Sequence, residues 1–285
     1  MLPDQVIDAH QHLWDPADRD YPWMAGLPDL RRTFLESDLL AAVDGTAVGA
    51  TIVVQATSTN EETEWLLELA AQSSLIVGVV GWVDLTQDGV AERLALLSAE
   101  GPLCGIRHQV EDEVDPDWLT RPSVLRGLRA VAEAGLVYDL LIRRSAGAAA
   151  VTAAKNLPEL TFVVDHLAKP NVASREWDDW RSQLSRLAVL PNVSCKLCSC
   201  KLSGLLTEAP LAHWRDRDLE RYVLEAVDLF GAERCMFGSD WPVSLLRAGY
   251  GDVLAFTDAA TATLGEAERL AIFRDAAFRL YRLPR

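Results

Sequence analysis

Histidine is scarce in this 285-residue chain, with five in all, so each one carries information. Cysteine is equally sparse, and an odd count of five argues against a disulfide framework. Four of the five lie in apolar runs, which points to reduced, buried thiols in a cytoplasmic protein. No stretch approaches the roughly 18 uncharged apolar residues that a membrane-spanning helix requires. The opening Met1-Leu2-Pro3-Asp4-Gln5-Val6-Ile7 has neither a basic nor a long apolar segment, so no signal peptide is expected. Positive charge is also short: 27 Lys and Arg face 42 Asp and Glu, for a net charge of −15. That balance argues against nucleic acid, whose phosphates need clustered Lys and Arg, and against anionic membranes as partners. No G-x-G-x-x-G or Walker pattern follows any apolar run, and low-complexity tracts, linkers and internal repeats are missing.

What the chain does contain is regular alternation. Apolar, β-branched runs occur at Val6–His10, Thr51–Gln55, Ile76–Trp82, Cys104–Gln109, Val137–Ile142, Thr161–His166, Val193–Leu197 and Cys235–Asp240. Near-continuous apolar runs of this length predict parallel strands buried on both faces. Stretches of helical period separate them at Thr63–Ala71, Val90–Ala99, Ser123–Ala134, Ala148–Lys155, Trp177–Leu187 and Leu219–Leu229. Two more follow the last strand, around Val253–Leu264 and Glu266–Leu280. Eight βα units with no composition shift predict an α/β protein, one (β/α)8 TIM barrel domain over residues 1–285. An open doubly wound sheet lacks the glycine-rich phosphate turn it would need.

In such barrels the chemistry sits at the C-terminal ends of the strands. Ionisable residues collect at those ends here: His10-Gln11-His12, Arg107-His108-Gln109, Asp165-His166, Cys195-Lys196 and Gly238-Ser239-Asp240. His10 and His12 are two apart on a strand and therefore share a face. With His166 and Asp240 they form the candidate catalytic or metal-ligating set. His108 has the opposite parity to Arg107 and is expected to face the helices as a structural residue. His213 precedes the last long helix of the alternating series and has no evident role. Gln55 and Asp84 would contact substrate or cap the following helix. A zinc knuckle at Cys195, Cys198 and Cys200 lacks a second cysteine pair, so these read as ordinary thiols. Nine tryptophans are many for this length, and Trp14, Trp82 and Trp241 follow strands, where they would wall a pocket for a small molecule or pack the core.

Several segments together resemble the amidohydrolase-related family of the amidohydrolase superfamily. They are Ile7-Asp8-Ala9-His10-Gln11-His12-Leu13-Trp14-Asp15, Gly105-Ile106-Arg107-His108-Gln109, Val164-Asp165-His166-Leu167-Ala168-Lys169-Pro170, Lys201-Leu202-Ser203-Gly204-Leu205 and Met236-Phe237-Gly238-Ser239-Asp240-Trp241-Pro242. The pattern is similar to the lactonase branch, whose members open L-fucono-, L-rhamnono- or L-galactonolactones or 2-pyrone-4,6-dicarboxylate. The resemblance implies a lactone hydrolase in which Asp240 is the general base. His10, His12 and His166 would stabilise the oxyanion or hold one metal, zinc, with Asp240; the branch also includes enzymes that work without metal. Substrate contacts would come from Arg107, a lysine, Gln55 and the three tryptophans. A zinc-dependent decarboxylase of an unsaturated acid, or a cyclic amide hydrolase, is the alternative within the superfamily; a catalytically dead barrel serving as a binding module would have lost these residues.

Two departures from the family pattern matter. Strand four offers Arg107 where a binuclear site has a bridging ligand, and strand five offers Tyr138 and Asp139 instead of histidine, so two metals are not expected. Val193-Ser194-Cys195-Lys196-Leu197 is followed at once by Cys198-Ser199-Cys200-Lys201-Leu202, which looks like a five-residue duplication. Either Lys196 or Lys201 holds the family lysine's place.

Overall fold

The computed structural model describes residues 2–3, 5–172, 174–197 and 216–284. Eight strands pair in parallel and in sequence order: β1 (Val6–Gln11), β2 (Val48–Val54), β3 (Ile76–Gly81), β4 (Leu103–His108), β5 (Val137–Leu140), β6 (Phe162–Val164), β7 (Val193–Lys196) and β8 (Cys235–Met236). The return from β8 to β1 runs through Ala9 N–H donating to Phe237 O at 3.0 Å and Asp240 N–H donating to His10 O at 2.8 Å. His12 N–H adds a third bond, to Trp241 O at 2.7 Å. The barrel is thus closed at the seam that carries His10, His12 and Asp240.

Helices α1 (Glu36–Val43), α2 (Asn60–Gln72), α3 (Val90–Glu100), α4 (Pro122–Glu133), α5 (Gly147–Asn156), α6 (Asp178–Ala188), α7 (Asp216–Phe230) and α8 (Tyr250–Ala260) link or follow the strands. α2 starts where its capping residue dictates: Thr59 Oγ1 accepts from Glu62 N–H at 3.2 Å. Most buried apolar residues form one cluster between the strands and these helices. A second cluster joins Ile7, Ala9, Ile52 and Val163 to Ala276, Ala277, Tyr281 and Leu283. The last helices, α9 (Glu266–Leu270) and α10 (Ala276–Leu280), flank a π-helical turn at Ala271–Asp275. They bring the C-terminal segment against the N-terminal ends of the strands, leaving the opposite ends for chemistry. No described helix is long and apolar enough to cross a membrane.

Several elements differ from the sequence expectations, three of them instructively. α1 was not foreseen, because its eight residues are too short for a clear period. β6 stops at Val164 and β8 at Met236, shorter than their apolar runs. In each case the chain leaves the ladder two to four residues before an ionisable side chain, His166 and Asp240 respectively. The clearest case is the turn after β6, where His166, Leu167, Ala168 and Lys169 have φ of 51°, 55°, 56° and 50°. Four consecutive non-glycine residues in the left-handed region cost roughly 1–2 kcal/mol each. Such strain persists only where surrounding contacts over-determine it. Here Trp180 Nε1 donates to Leu167 O at 2.7 Å and Lys169 N–H to His166 O at 2.9 Å.

Candidate active site

The end of β1 places two imidazoles in contact, with His10 Nε2 3.2 Å from His12 Nε2. His12 Nδ1 lies 2.7 Å from Val54 O, and a carbonyl only accepts, so Nδ1 carries the hydrogen. Burial pushes His12 and, more strongly, His10 below the usual histidine range. A neutral His12 therefore turns a lone pair at Nε2 towards His10 and towards Asp240 Oδ1, 3.5 Å away. Lone pair and carboxylate both accept, and they need a shared proton or cation between them.

Asp240 is held by the seam. Its backbone sits at φ 56° and its N–H donates to His10 O. Asp8 secures the same junction, accepting from His10 N–H at 3.0 Å, Ser239 N–H at 2.9 Å, Ser239 Oγ at 2.6 Å and the Tyr250 hydroxyl at 2.8 Å. Burial raises Asp8 to about 6 against those bonds. For Asp240, burial acts upward too, but the surrounding imidazoles of His166, His12 and His10 outweigh it and hold the carboxyl well below the usual range. Burial also pushes His166 down to about 4. Its Nδ1 is 3.8 Å from Asp240 Oδ2, and its ring centroid 4.6 Å from that of His10.

Beneath His10 lies a fully buried ionic layer. Lys196 Nζ pairs with Asp139, lies 3.2 Å from Asp165 Oδ1 and 3.4 Å from His10 Nδ1. Asp165 in turn meets His10 Nδ1 at 3.3 Å and Arg107 Nη1 at 3.1 Å. Arg107 Nη1 also lies 3.3 Å from His10 Nε2, and Nη2 donates to Gln55 O. The Arg107 Nε–H, buried, has no hydrogen-bond partner among the described residues.

A cavity of about 100 Å³ opens over this arrangement. His12, Arg107, His166 and Asp240 form its ionisable end. Ala56, Leu141 and Val243 give it an apolar side, and Gln109, Glu111 and Lys169 a polar one. Trp23, from the segment between β1 and α1, completes the lining and donates Nε1–H to Ala56 O at 2.8 Å.

The structure brings together His10, His12, His166, Asp240 and Arg107, each from a different strand end apart from the His10/His12 pair. The other sequence candidates sit elsewhere. Lys196 has its fully buried amine in the ionic layer rather than on the cavity wall, because a side chain at the end of β7 points to the barrel axis below His10. Gln55 is buried and donates Nε2–H to Arg107 O at 3.2 Å. Trp14 is buried with Nε1 donating to Leu30 O and Arg32 O, Trp82 donates to His108 Nδ1 at 3.0 Å, and Trp241 packs edge-on against Phe34. These three tryptophans pack the scaffold, and Trp23 takes the wall position. His108 faces away from the axis, as parity predicts, stacked on Trp118 at 4.2 Å and bonded to Glu113 at 2.8 Å. Asp84 accepts from Thr86 N–H and Gln87 Nε2 and so organises its own turn. Cys104, Cys195 and Cys235 are buried thiols. Lys201, Cys198, Cys200 and His213 lie outside the described residues. Sequence reasoning did not select Trp23, Glu111 or Lys169; Asp165 it placed at a strand end beside His166 without giving it a role.

His10, His12 and Asp240 each offer one ligand atom, and these lie within 4.8 Å of one another; His10, Asp165 and His166 form a second such group. The facing lone pair of His12 and carboxylate of Asp240 make the first group fit a single divalent cation.

The chain matches the amidohydrolase family model over residues 7–283. It is 40% identical over 295 residues to an L-fucono-1,5-lactonase of Burkholderia multivorans, covering 98% of this chain and 96% of that protein. Two crystal structures of a B. multivorans amidohydrolase are similar as well. One, with HEPES bound, superposes at a TM-score of 0.92 with 36% identity, covering 98% of this chain and 100% of the other. The second, with zinc bound, gives 0.89 and 37% at the same coverages. Matched from its first barrel strand to its last helix, with the histidine pair and terminal aspartate on the barrel seam, this chain belongs to the amidohydrolase family.

Proposed function

We propose that this protein hydrolyses a small sugar lactone, of the L-fucono-1,5-lactone class that its relative is named for, with Asp240 as the general base. One observation carries the reading: at the closed end of the cavity, which Arg107 also lines, two proton acceptors face each other 3.5 Å apart, His12 Nε2 and Asp240 Oδ1. A water seated there donates to the acceptors and turns an oxygen lone pair to the lactone carbonyl. Asp240, held ionised, takes the water's proton as the oxygen adds to the carbonyl carbon. Arg107 stabilises the resulting oxyanion, a contribution of the order of 3–4 kcal/mol for one well-placed donor. Collapse breaks the bond from carbonyl carbon to ring oxygen, and the proton passes to that oxygen, giving an open-chain hydroxy acid. Neutral His166 lines the pocket without adding a positive charge beside Asp240. A zinc ion, when held by His10, His12 and Asp240, would lower the pKa of its bound water and polarise the carbonyl. Water-facing chemistry with reduced buried thiols suits a cytoplasmic enzyme acting on a small molecule.

The test is proton release from a panel of aldono-1,4- and 1,5-lactones at neutral pH, before and after chelator treatment. Turnover that survives the chelator assigns the chemistry to Asp240 and Arg107 alone. Turnover restored only by zinc makes His10, His12 and Asp240 ligands. Failure to open any lactone removes the proposal.

A further inference from the structure

A lactone hydrolase must also recognise the hydroxyls of its ring, and in the proposed reaction His12, Arg107 and Asp240 are engaged with the water and the carbonyl. The apolar side made by Ala56, Leu141 and Val243 cannot hydrogen-bond through its side chains. That leaves the polar side, where Lys169 and Glu111 meet and Gln109 adds an amide. Lys169 Nζ lies 2.6 Å from both carboxylate oxygens of Glu111, and Arg143 Nε reaches Glu111 Oε2 at 3.4 Å. The two side chains are 15% and 12% exposed, so the pair is shielded from bulk water yet open to the cavity. Resting on the proposed lactone hydrolysis, we infer that Lys169 and Glu111 form a clamp for the ring hydroxyls and determine which lactone is accepted.

Three features carry this. The first is chemical. An ammonium has three N–H donors, and the Glu111 contacts account for two; a carboxylate has about four lone-pair sites, and Lys169 and Arg143 engage three. Donor and acceptor capacity therefore sit side by side, the arrangement that adjacent hydroxyls on a sugar ring can satisfy together. The second is conformational. Lys169 ends the left-handed run that begins at His166, so one strained turn sets both the reactive end of the cavity and its polar side. Strain of this kind is retained where geometry matters. A salt bridge needed only for stability would place no such demand on the backbone. The third is architectural. Glu111 belongs to the turn after β4, and its N–H donates to Leu141 O at 3.1 Å, so the clamp is tied to the strand end beyond β5 as well. A substrate hydroxyl here is fixed relative to Arg107 on β4 and His166 after β6.

The deciding experiment measures kcat/KM for L-fucono-1,5-lactone and its 2-, 3- and 4-deoxy analogues, using the wild-type protein, Lys169→Met and Glu111→Gln. A hydrogen bond to a charged partner predicts that removing the recognised hydroxyl costs the wild type roughly 10- to 150-fold. In either variant the intact lactone should lose a similar factor, while the deoxy penalty at that position shrinks to less than about threefold. Glu111→Gln keeps the side-chain shape and reports even where Lys169→Met folds poorly. Deoxy penalties that persist undiminished in the variants, or a wild type indifferent to every hydroxyl, would overturn the clamp and leave the pair as a latch for the turn. A wild type that opens no lactone removes the underlying reading instead, and the clamp with it.

Discussion

The Tyr281 hydroxyl donates to Asp139 Oδ1 at 2.6 Å, linking the C-terminal segment to the ion pair that supports His10. Asp139 and Lys196 are both fully buried, and Lys196 also lies within reach of Asp165. Burial raises Asp139 to about 6, against the opposing pull of Lys196. Two carboxylates, one ammonium and a phenol thus form a closed layer under the site.

Lys196→Met should destabilise the fold by about 3–5 kcal/mol, since it leaves two buried carboxylates without their shared cation. Differential scanning calorimetry should show a fall in Tm of roughly 10 °C. The double variant Lys196→Met/Asp139→Leu should recover part of the loss, because an apolar replacement removes the orphaned charge. An unchanged Tm in the single variant would mean that the layer contributes nothing.

Asp240→Asn should lower kcat by about 10²- to 10⁴-fold with the circular dichroism spectrum unchanged. The amide fits the same space but cannot take the proton of a water placed against His12 Nε2. Near-normal turnover would remove Asp240 as the base.

Glu62 should produce a pH-dependent stability that Glu62→Gln abolishes. Its Oε2 accepts from the N–H groups of Ala56 and Thr57 at 2.8 Å each, yet burial raises the carboxyl from 4.5 to about 7. The folded state therefore holds a proton between these values that the unfolded chain has released. The stabilisation is fully present below pH 4.5 and is lost as pH rises through 7, by roughly 3 kcal/mol. Urea denaturation at pH 5 and pH 8 should show the glutamine variant gaining on the wild type at the higher pH. Equal differences at both would contradict the assignment. Because Ala56 lines the cavity and receives the Trp23 indole, KM should follow the same trend.

Gly127→Ala should cost about 1–3 kcal/mol, since a Cβ there would lie 2.3 Å from Leu85 O, a backbone atom that cannot step aside. Gly251→Ala is the control. Nothing lies within 4 Å of its would-be Cβ on α8, and the change should be neutral or stabilising by up to about 1 kcal/mol. Equal effects of the two would show that helix propensity, rather than the Leu85 contact, governs position 127.

The eight strands were legible because strands buried on both faces must be apolar throughout, and stretches of helical period separated the short apolar runs. His10, His12, Arg107, His166 and Asp240 followed, since a polar residue ending an apolar run stands out. The sequence alone therefore determined the barrel and which ionisable residues gather at its strand ends. Only the tertiary structure decided which neighbouring residues face the cavity. Trp14 and Trp23 look alike as sequence, yet one is sealed against Phe34 and the other roofs the site. Lys196 reads as a substrate contact until barrel closure sinks it beside Asp139. Lys169 and Glu111, 58 residues apart, become a pair only because β4 and β6 end on the same rim and the chain turns left-handed after Val164. Contacts between loops depend on strand register and backbone hand, and neither leaves a local, periodic trace in the order of residues.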